Sequence, residues 1–217
     1  QFKRYLSRLL RGDLGVSIYN QEPVIDLIIP RFVNTAQLAI LAMSLAAVWS
    51  LLLGCLAAIW RHRMMEKCIK TISLLGVCTP LFLIGLAGLY LFSVRLRLLP
   101  LGGMRSWQAY VLPVMSLAIY QAAFLTRMTT ACMLDALDRE YITTARARGV
   151  PELRVLFQHA LPNALLPIMT VMGLRFGYTL GGAVVTEVVF SWPGLGRLMV
   201  NSILTRDLPV TQGALLV

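Results

Sequence analysis

Residues 35–60 form a long uncharged segment with the sequence TAQLAILAMSLAAVWSLLLGCLAAIW. It lies within 29 consecutive residues, between Arg31 and Arg61, that contain no Asp, Glu, Lys or Arg. A helix needs about 20 apolar residues to cross the hydrocarbon core of a bilayer. Lipid offers the backbone no hydrogen-bond partners, so a crossing segment must be helical. We therefore predict a membrane-spanning helix here.

Three further runs have the same character. They are residues 71–94, residues 106–126 and residues 155–186, the last interrupted only by Arg175. Prolines near the start of the last run place its membrane helix at about residues 162–186. The predicted fold class is therefore all-α, a polytopic transmembrane helical bundle with four full spans.

The overall composition supports this class. Charged residues make up 14% of the chain, against about 25% in soluble proteins. Apolar residues make up 58%, and the mean hydropathy is +0.72. This excludes a soluble enzyme, a disordered protein and a small secreted scaffold. The net charge of +10 comes from short basic clusters between the uncharged runs, a pattern that argues against nucleic-acid binding.

The two ends carry separate signals. Residues 1–12, QFKRYLSRLLRG, place apolar side chains on one helical face and basic ones on the other, which predicts an amphipathic helix at the membrane surface. Residues 208–217 are uncharged but long enough for only about 15 Å of helix, half a bilayer. We therefore expect a fragment that ends within part of another span.

Motifs for chemistry are missing from the sequence. It contains no G-x-x-x-x-G-K-[ST] phosphate loop, no G-x-S-x-G and no H-E-x-x-H, so we expect neither an ATPase nor another enzyme. It has two histidines and four cysteines without a C-x-x-C pair, which we interpret as free thiols rather than metal ligands. The cysteines are Cys55, Cys68, Cys78 and Cys132.

The longest loop, residues 131–161, has the pattern of a folded helix–turn–helix. Acidic residues come early and basic residues late in residues 133–148, as the helix dipole favours. Gly149 suits a left-handed C-terminal cap, and Pro151 suits the first turn of a second short helix. Pro162 then marks the start of the next membrane helix. A loop this long between two spans indicates a binding partner.

This loop resembles the EAA motif of ABC-importer permease subunits, E-A-A-x3-G-x9-I-x-L-P. The aligned residues are Thr143, Thr144, Ala145, Gly149, His159, Leu161 and Pro162, with Thr143, Thr144 and His159 departing from the motif. Longer segments resemble the dipeptide, oligopeptide and nickel branch of these permeases. They are YITTARARGV (141–150), HALPNALLP (159–167), GDLGVS (12–17), LGGAVVTEVVFSWPGLGRL (180–198) and RDLPVTQG (206–213).

The resemblance implies a multi-pass subunit of the bacterial cytoplasmic (inner) membrane that forms half of an import pathway for a di- or oligopeptide or nickel. It implies a periplasmic segment at residues 1–31 and a transmembrane domain at residues 32–217, with residues 131–161 as the cytoplasmic coupling loop. The implied partners are ABC ATP-binding subunits that hold ATP and Mg²⁺, a second permease subunit and an extracytoplasmic solute-binding protein. Membrane lipid surrounds the spans. Basic residues are balanced between the two sides, so charge alone leaves the orientation open.

Four residues of the last span are candidates for the pathway or for helix packing. Gly173, Gly177 and Gly181 form a stripe of small residues, which favours close helix packing. Arg175 is a charge inside a span, which suggests a function such as attracting a peptide carboxylate, or else a pairing with an acid elsewhere. Glu187 precedes Trp192 and a Pro-Gly turn, a pattern typical of an interfacial anchor.

Two alternatives come from other classes. A stand-alone channel or secondary carrier would have to explain the folded loop without an ATPase partner. An intramembrane enzyme would need catalytic groups that the sequence does not show.

Overall fold

The computed structural model describes residues 14–216, and their regular elements are helices joined by short turns and by one longer connection, residues 96–107. The amphipathic helix expected at residues 1–12 lies outside the described residues. All-α is confirmed as the fold class. The helices are α1 (Val24–Ile59), α2 (Met64–Cys78), α3 (Leu81–Gly88, continued by the π-helical segment Leu89–Arg95), α4 (Gln108–Leu137), α5 (Glu140–Ala147), α6 (Glu152–Arg154, then the π-helical Val155–Ala160 and Leu161–Gly182), α7 (Val184–Val189), α8 (Leu195–Leu204) and α9 (Leu208–Leu216).

Three of these helices are long and apolar enough to cross a membrane without a break: α1, α4 and α6. The fourth predicted span is divided into α2 and α3, which meet at an angle of 97°. The break falls at Thr79, whose backbone is extended (φ −82°, ψ 123°), directly before Pro80. Proline disfavours helical geometry in the residue before it, so the uncharged run continues while the helix does not.

The loop also differs from its prediction. The helix expected over residues 133–148 is divided at Asp138 and Arg139, where α4 has ended and the backbone at Arg139 is extended. Pro162 does not begin the next span, because α6 runs without interruption from Glu152. The π-helical turn before Pro162 provides the reason, since a proline ring in a regular α-helix clashes with the carbonyl four residues earlier.

The chain divides into two compact units. Among the described residues, the first contains residues 14–39, 85–113 and 180–216, and the second contains residues 40–84 and 114–179. Helices α1, α3, α4 and α6 contribute residues to both.

In the first unit, two segments from opposite ends of the chain meet. The Ser17 hydroxyl donates a hydrogen bond to the Asp207 carboxylate, which also accepts one from the backbone N–H of Ile18 at 3.2 Å. Burial raises the pKa of Asp207, but these hydrogen bonds outweigh it and leave the pKa below its usual value. An added Cβ at Gly213 would lie 2.8 Å from Val24, so α9 needs glycine here to pack against α1.

The first unit also buries the carboxylate of Glu187 in α7. Its oxygens accept hydrogen bonds from the Thr35 hydroxyl at 2.5 Å and from the backbone N–H groups of Arg197, at 2.9 Å, and Gly196. The Thr35 oxygen accepts a further bond from the N–H of Leu195 at 2.8 Å. The first N–H groups of a helix have no partners within it. Glu187 and Thr35 therefore cap α8, and the negative charge matches the positive end of the helix dipole.

The turn between α7 and α8 packs around Trp192. This side chain is fully buried, and its indole N–H donates to the backbone carbonyl of Asn34 at 3.1 Å. The Asn34 amide donates to the carbonyl of Pro193 at 2.8 Å, and the ring of Tyr110 contacts Trp192 edge-on with centroids 4.7 Å apart. Trp192 is thus a core residue instead of the expected interfacial anchor, because its one polar group has a partner inside the unit.

We predict that replacing Glu187 with Ala will destabilise the protein by about 2–4 kcal/mol, because it leaves several buried donors without an acceptor. Backbone amides of residues 195–197 should then exchange hydrogen faster. Glu187→Gln keeps one carbonyl oxygen in place and should have the smaller effect. Thermal unfolding in detergent, combined with hydrogen-exchange mass spectrometry, would measure both. An Ala variant as stable as the wild type would show that the carboxylate does not cap α8.

Candidate functional site

The loop helix α5 is anchored by one face and exposed on the other. Ile142 and Ala145 are buried, and so is Val155 at the start of the π-helical segment that α5 packs against. The opposite side, here called the outer face of α5, is formed by residues spaced as on one helical stripe. It consists of Glu140, Thr143, Thr144 and Ala147, all of them exposed.

Two ion pairs hold the ends of this loop. Arg61 contacts both oxygens of Asp138, at 2.5 and 3.0 Å, and Arg146 contacts both oxygens of Glu152, at 2.7 and 3.2 Å. The hydrogen bond from Arg61 lowers the pKa of Asp138 below its usual value, so the pair is ionised at neutral pH. Exposed pairs contribute little to stability. In each pair the arginine binds both carboxylate oxygens, and this two-point contact favours one orientation of the loop.

Gly149 closes α5 with a left-handed backbone, φ +77°, as the sequence predicts. The N–H of Val150 donates to the carbonyl of Ala145 at 3.2 Å, and the N–H of Gly149 donates to the carbonyl of Arg146 at 2.9 Å. These are the bonds of a Schellman-type cap. Pro151 is the cap residue directly before α6, whereas the sequence predicts it within the first turn of that helix.

The motif residues aligned with the EAA pattern do not share one environment. Thr143 and Thr144 lie on the outer face of α5, whereas Ala145 is buried against the rest of the unit. Downstream, Leu161 is half-buried and Pro162 is exposed near the start of the α-helical part of α6. The structure therefore brings the first two residues to an accessible surface and uses the third for packing.

A second group of polar residues lies inside the spans, between α4 and α6. The guanidinium carbon of Arg175 is 3.5 Å from the centre of the Phe124 ring, a cation–π contact. No carboxylate of residues 14–216 lies within ion-pair distance of it. Beside it, the Gln121 amide donates to the Thr179 hydroxyl, which donates to the carbonyl of Arg175 at 2.7 Å. The guanidinium of Arg175 thus lies over an aromatic ring, and no acid of the described residues neutralises its charge.

The glycine stripe on α6 does not pack against any of residues 14–216. An added Cβ at Gly173, Gly177 or Gly181 would meet no atom of the described residues within 4 Å. Close approach between helices occurs elsewhere in the second unit. An added Cβ would lie 2.5 Å from a side chain of α4 at Gly54 and 2.7 Å from one at Gly76. Sequence reasoning missed these two glycines because they stand alone, without the repeat that marks a stripe.

No metal centre forms among residues 14–216, which bring together no group of three or more His, Cys, Asp or Glu side chains. The four cysteines are free.

Comparison with known proteins identifies the family. Residues 50–217 match the family model described as binding-protein-dependent transport system inner membrane component. The glutathione transport system permease protein GsiC of Escherichia coli (strain K12) is 44% identical over 216 residues, which cover 100% of this chain and 71% of that protein. GsiC of Shigella boydii serotype 4 (strain Sb227) is 43% identical with the same coverage.

A solved structure shows the same fold. An amino acid ABC transporter, crystallised with histidines, matches with a TM-score of 0.68 at 18% identity, over 97% of this chain and 88% of its own. At this identity the likeness concerns the fold alone.

These matches confirm the importer prediction over the stand-alone channel or carrier. Importers of this kind combine permeases with separate ATP-hydrolysing subunits and a solute-binding protein. The chain belongs to the family of binding-protein-dependent transport system inner membrane components, and it is a multi-pass permease subunit of an ABC importer.

Proposed function

We propose that this chain forms half of the translocation pathway for a small anionic peptide such as glutathione, and that α5 couples it to the ATP-hydrolysing subunit. The coupling role is supported by the way in which the loop that contains α5 is anchored. Its inner face is buried, both ends are held by paired ion contacts, and its outer face is exposed. A helix fixed in this way transmits a push on its outer face to α4 and α6.

In this proposal the loops that contain residues 60–63 and 138–151 face the cytoplasm, and residues 14–23 face the periplasm. ATP and Mg²⁺ belong to the partner subunit, as the missing phosphate loop in this sequence supports. The exposed stripe of Gly173, Gly177 and Gly181 faces the second permease subunit. Small residues there would let two helices approach closely.

The substrate class rests on the relatives and on one charge. Both permeases compared above are glutathione transport proteins by name, and glutathione is a tripeptide with two carboxylates and a net negative charge at neutral pH. Arg175 is the one Asp, Glu, Lys or Arg residue between Arg154 and Glu187, and an unneutralised charge within a span is costly and usually functional. A positive charge favours an anionic peptide and disfavours nickel, so of the substrates expected from the sequence we retain the peptides.

We predict that Gly149→Val will abolish coupled transport. The left-handed backbone at φ +77° costs a β-branched residue at least about 1–2 kcal/mol, so the cap rearranges and the outer face of α5 shifts. Gly149→Asn is the matched control, because Asn tolerates this conformation. An added Cβ at this position meets no atom of the described residues within 4 Å, so the Cβ that both variants add does not itself clash.

The measurement is ATP-dependent glutathione uptake into vesicles that contain the permeases and ATPase subunits, with the binding protein supplied outside. Both variants should insert and retain their helices. Full uptake by the Val variant would contradict the coupling role of this loop.

We further predict that Arg175→Gln will lower glutathione uptake by at least about tenfold, the effect of removing one charged contact. Arg175→Lys keeps the charge and should retain more transport. A neutral peptide of similar size, if it is carried, should lose much less in the Gln variant. Equal uptake of glutathione by wild type and Arg175→Gln would remove Arg175 from the pathway.

A further inference from the structure

A cavity of about 450 Å³ lies between α2 and α4, within the second unit. Its lining combines two cationic side chains, two hydroxyl side chains and three apolar side chains. They are Lys70, Thr71 and Leu74 on α2, and Arg127, Thr130, Ala131 and Leu134 on α4.

The cationic residues Lys70 and Arg127 each lie at the boundary of an uncharged run. Lys70 is the last charged residue before the uncharged residues 71–94, and Arg127 is the first after the uncharged residues 106–126. Both are exposed in the described chain. Residues at such boundaries lie where the hydrocarbon meets the polar headgroups. The structure brings these two boundary residues to one cavity, although they are far apart in the sequence.

The charges around the cavity leave a positive excess. Glu66, one turn before Lys70, accepts a bond from the Lys70 ammonium at 2.5 Å and one from the backbone N–H of His62 at 2.6 Å. The ammonium keeps two further N–H donors. Arg127 has no ion pair with any acid of residues 14–216. Glu66 therefore contributes one negative charge, and Lys70 and Arg127 contribute two positive charges.

We propose that this cavity binds an anionic phospholipid, with its phosphate between Lys70 and Arg127 and an acyl chain along Leu74 and Leu134. A basic pocket between membrane helices at the headgroup level suits such a lipid. Free phosphate would leave the apolar part of the lining uncovered, whereas an acyl chain would cover it. With the orientation given under the proposed function, the bound lipid belongs to the cytoplasmic leaflet. The choice of leaflet rests on that proposed function, but lipid binding itself does not.

The test is native mass spectrometry of the full-length protein in detergent, titrated with phosphatidylglycerol and separately with zwitterionic phosphatidylethanolamine. We expect phosphatidylglycerol to bind more tightly. Each basic residue that faces the lipid headgroup contributes about a fivefold change in affinity. Lys70→Gln and Arg127→Gln should therefore each weaken phosphatidylglycerol binding about fivefold, and the double variant about 25-fold.

Lys67→Gln is the matched control. Lys67 is exposed on the same helix, one turn from Lys70, and does not line the cavity, so its replacement should change binding less than twofold. The charge-preserving double variant Lys70→Arg with Arg127→Lys should bind as the wild type does. This variant and the single substitutions keep the test decisive if the double Gln variant does not fold.

Three results would overturn the proposal: no preference for phosphatidylglycerol, Gln variants that bind like the Lys67→Gln control, or displacement of the lipid by inorganic phosphate. The proposed function fails by a different result. In that case the ATPase subunit would not co-purify with the full-length protein, whatever its lipid binding.

Discussion

The structure depends on one constraint: in lipid, each backbone N–H and C=O group must find its partner within the protein. Long helices meet it by themselves, and the irregular parts show how it is met where a helix stops. The first turn of α8 takes its acceptors from the carboxylate and hydroxyl of Glu187 and Thr35. The left-handed turn at Gly149 returns its N–H groups to carbonyls of α5. Where these helices end, side chains and turns of the chain itself therefore supply the missing partners.

The same constraint explains how far the sequence predicts the fold. An uncharged run shows that a segment can lie in hydrocarbon, and the runs indicate α1, α4 and α6 correctly. A run does not show where the helix itself ends, because α4 continues past Arg127 to Leu137 with its backbone bonds intact. Nor does it show a break inside the run, as at Thr79 and Pro80, where backbone geometry and not polarity decides.

Sequence reasoning located the candidate loop but not what holds it. The cap at Gly149 is a local feature, and a glycine after a helical pattern is sufficient to predict it. The pair of Arg61 and Asp138 joins residues 77 positions apart, and the contact of Glu187 with Thr35 joins residues 152 apart. Many charged pairs are possible at such separations. Only the packing of the helices selects the ones that form.

The departures from the EAA pattern can be understood from the two faces of α5. Thr143 and Thr144 replace Glu and Ala at exposed positions, where the side chain faces outward and the fold of this chain does not constrain it. Ala145 matches the pattern at a buried position, and Gly149 matches it where the backbone is left-handed. At these four positions the fold requires the two matching residues, whereas the two differing ones lie on an exposed surface. In the proposed coupling role, the outer face of α5 can therefore change to suit an ATPase subunit while its buried inner face stays the same.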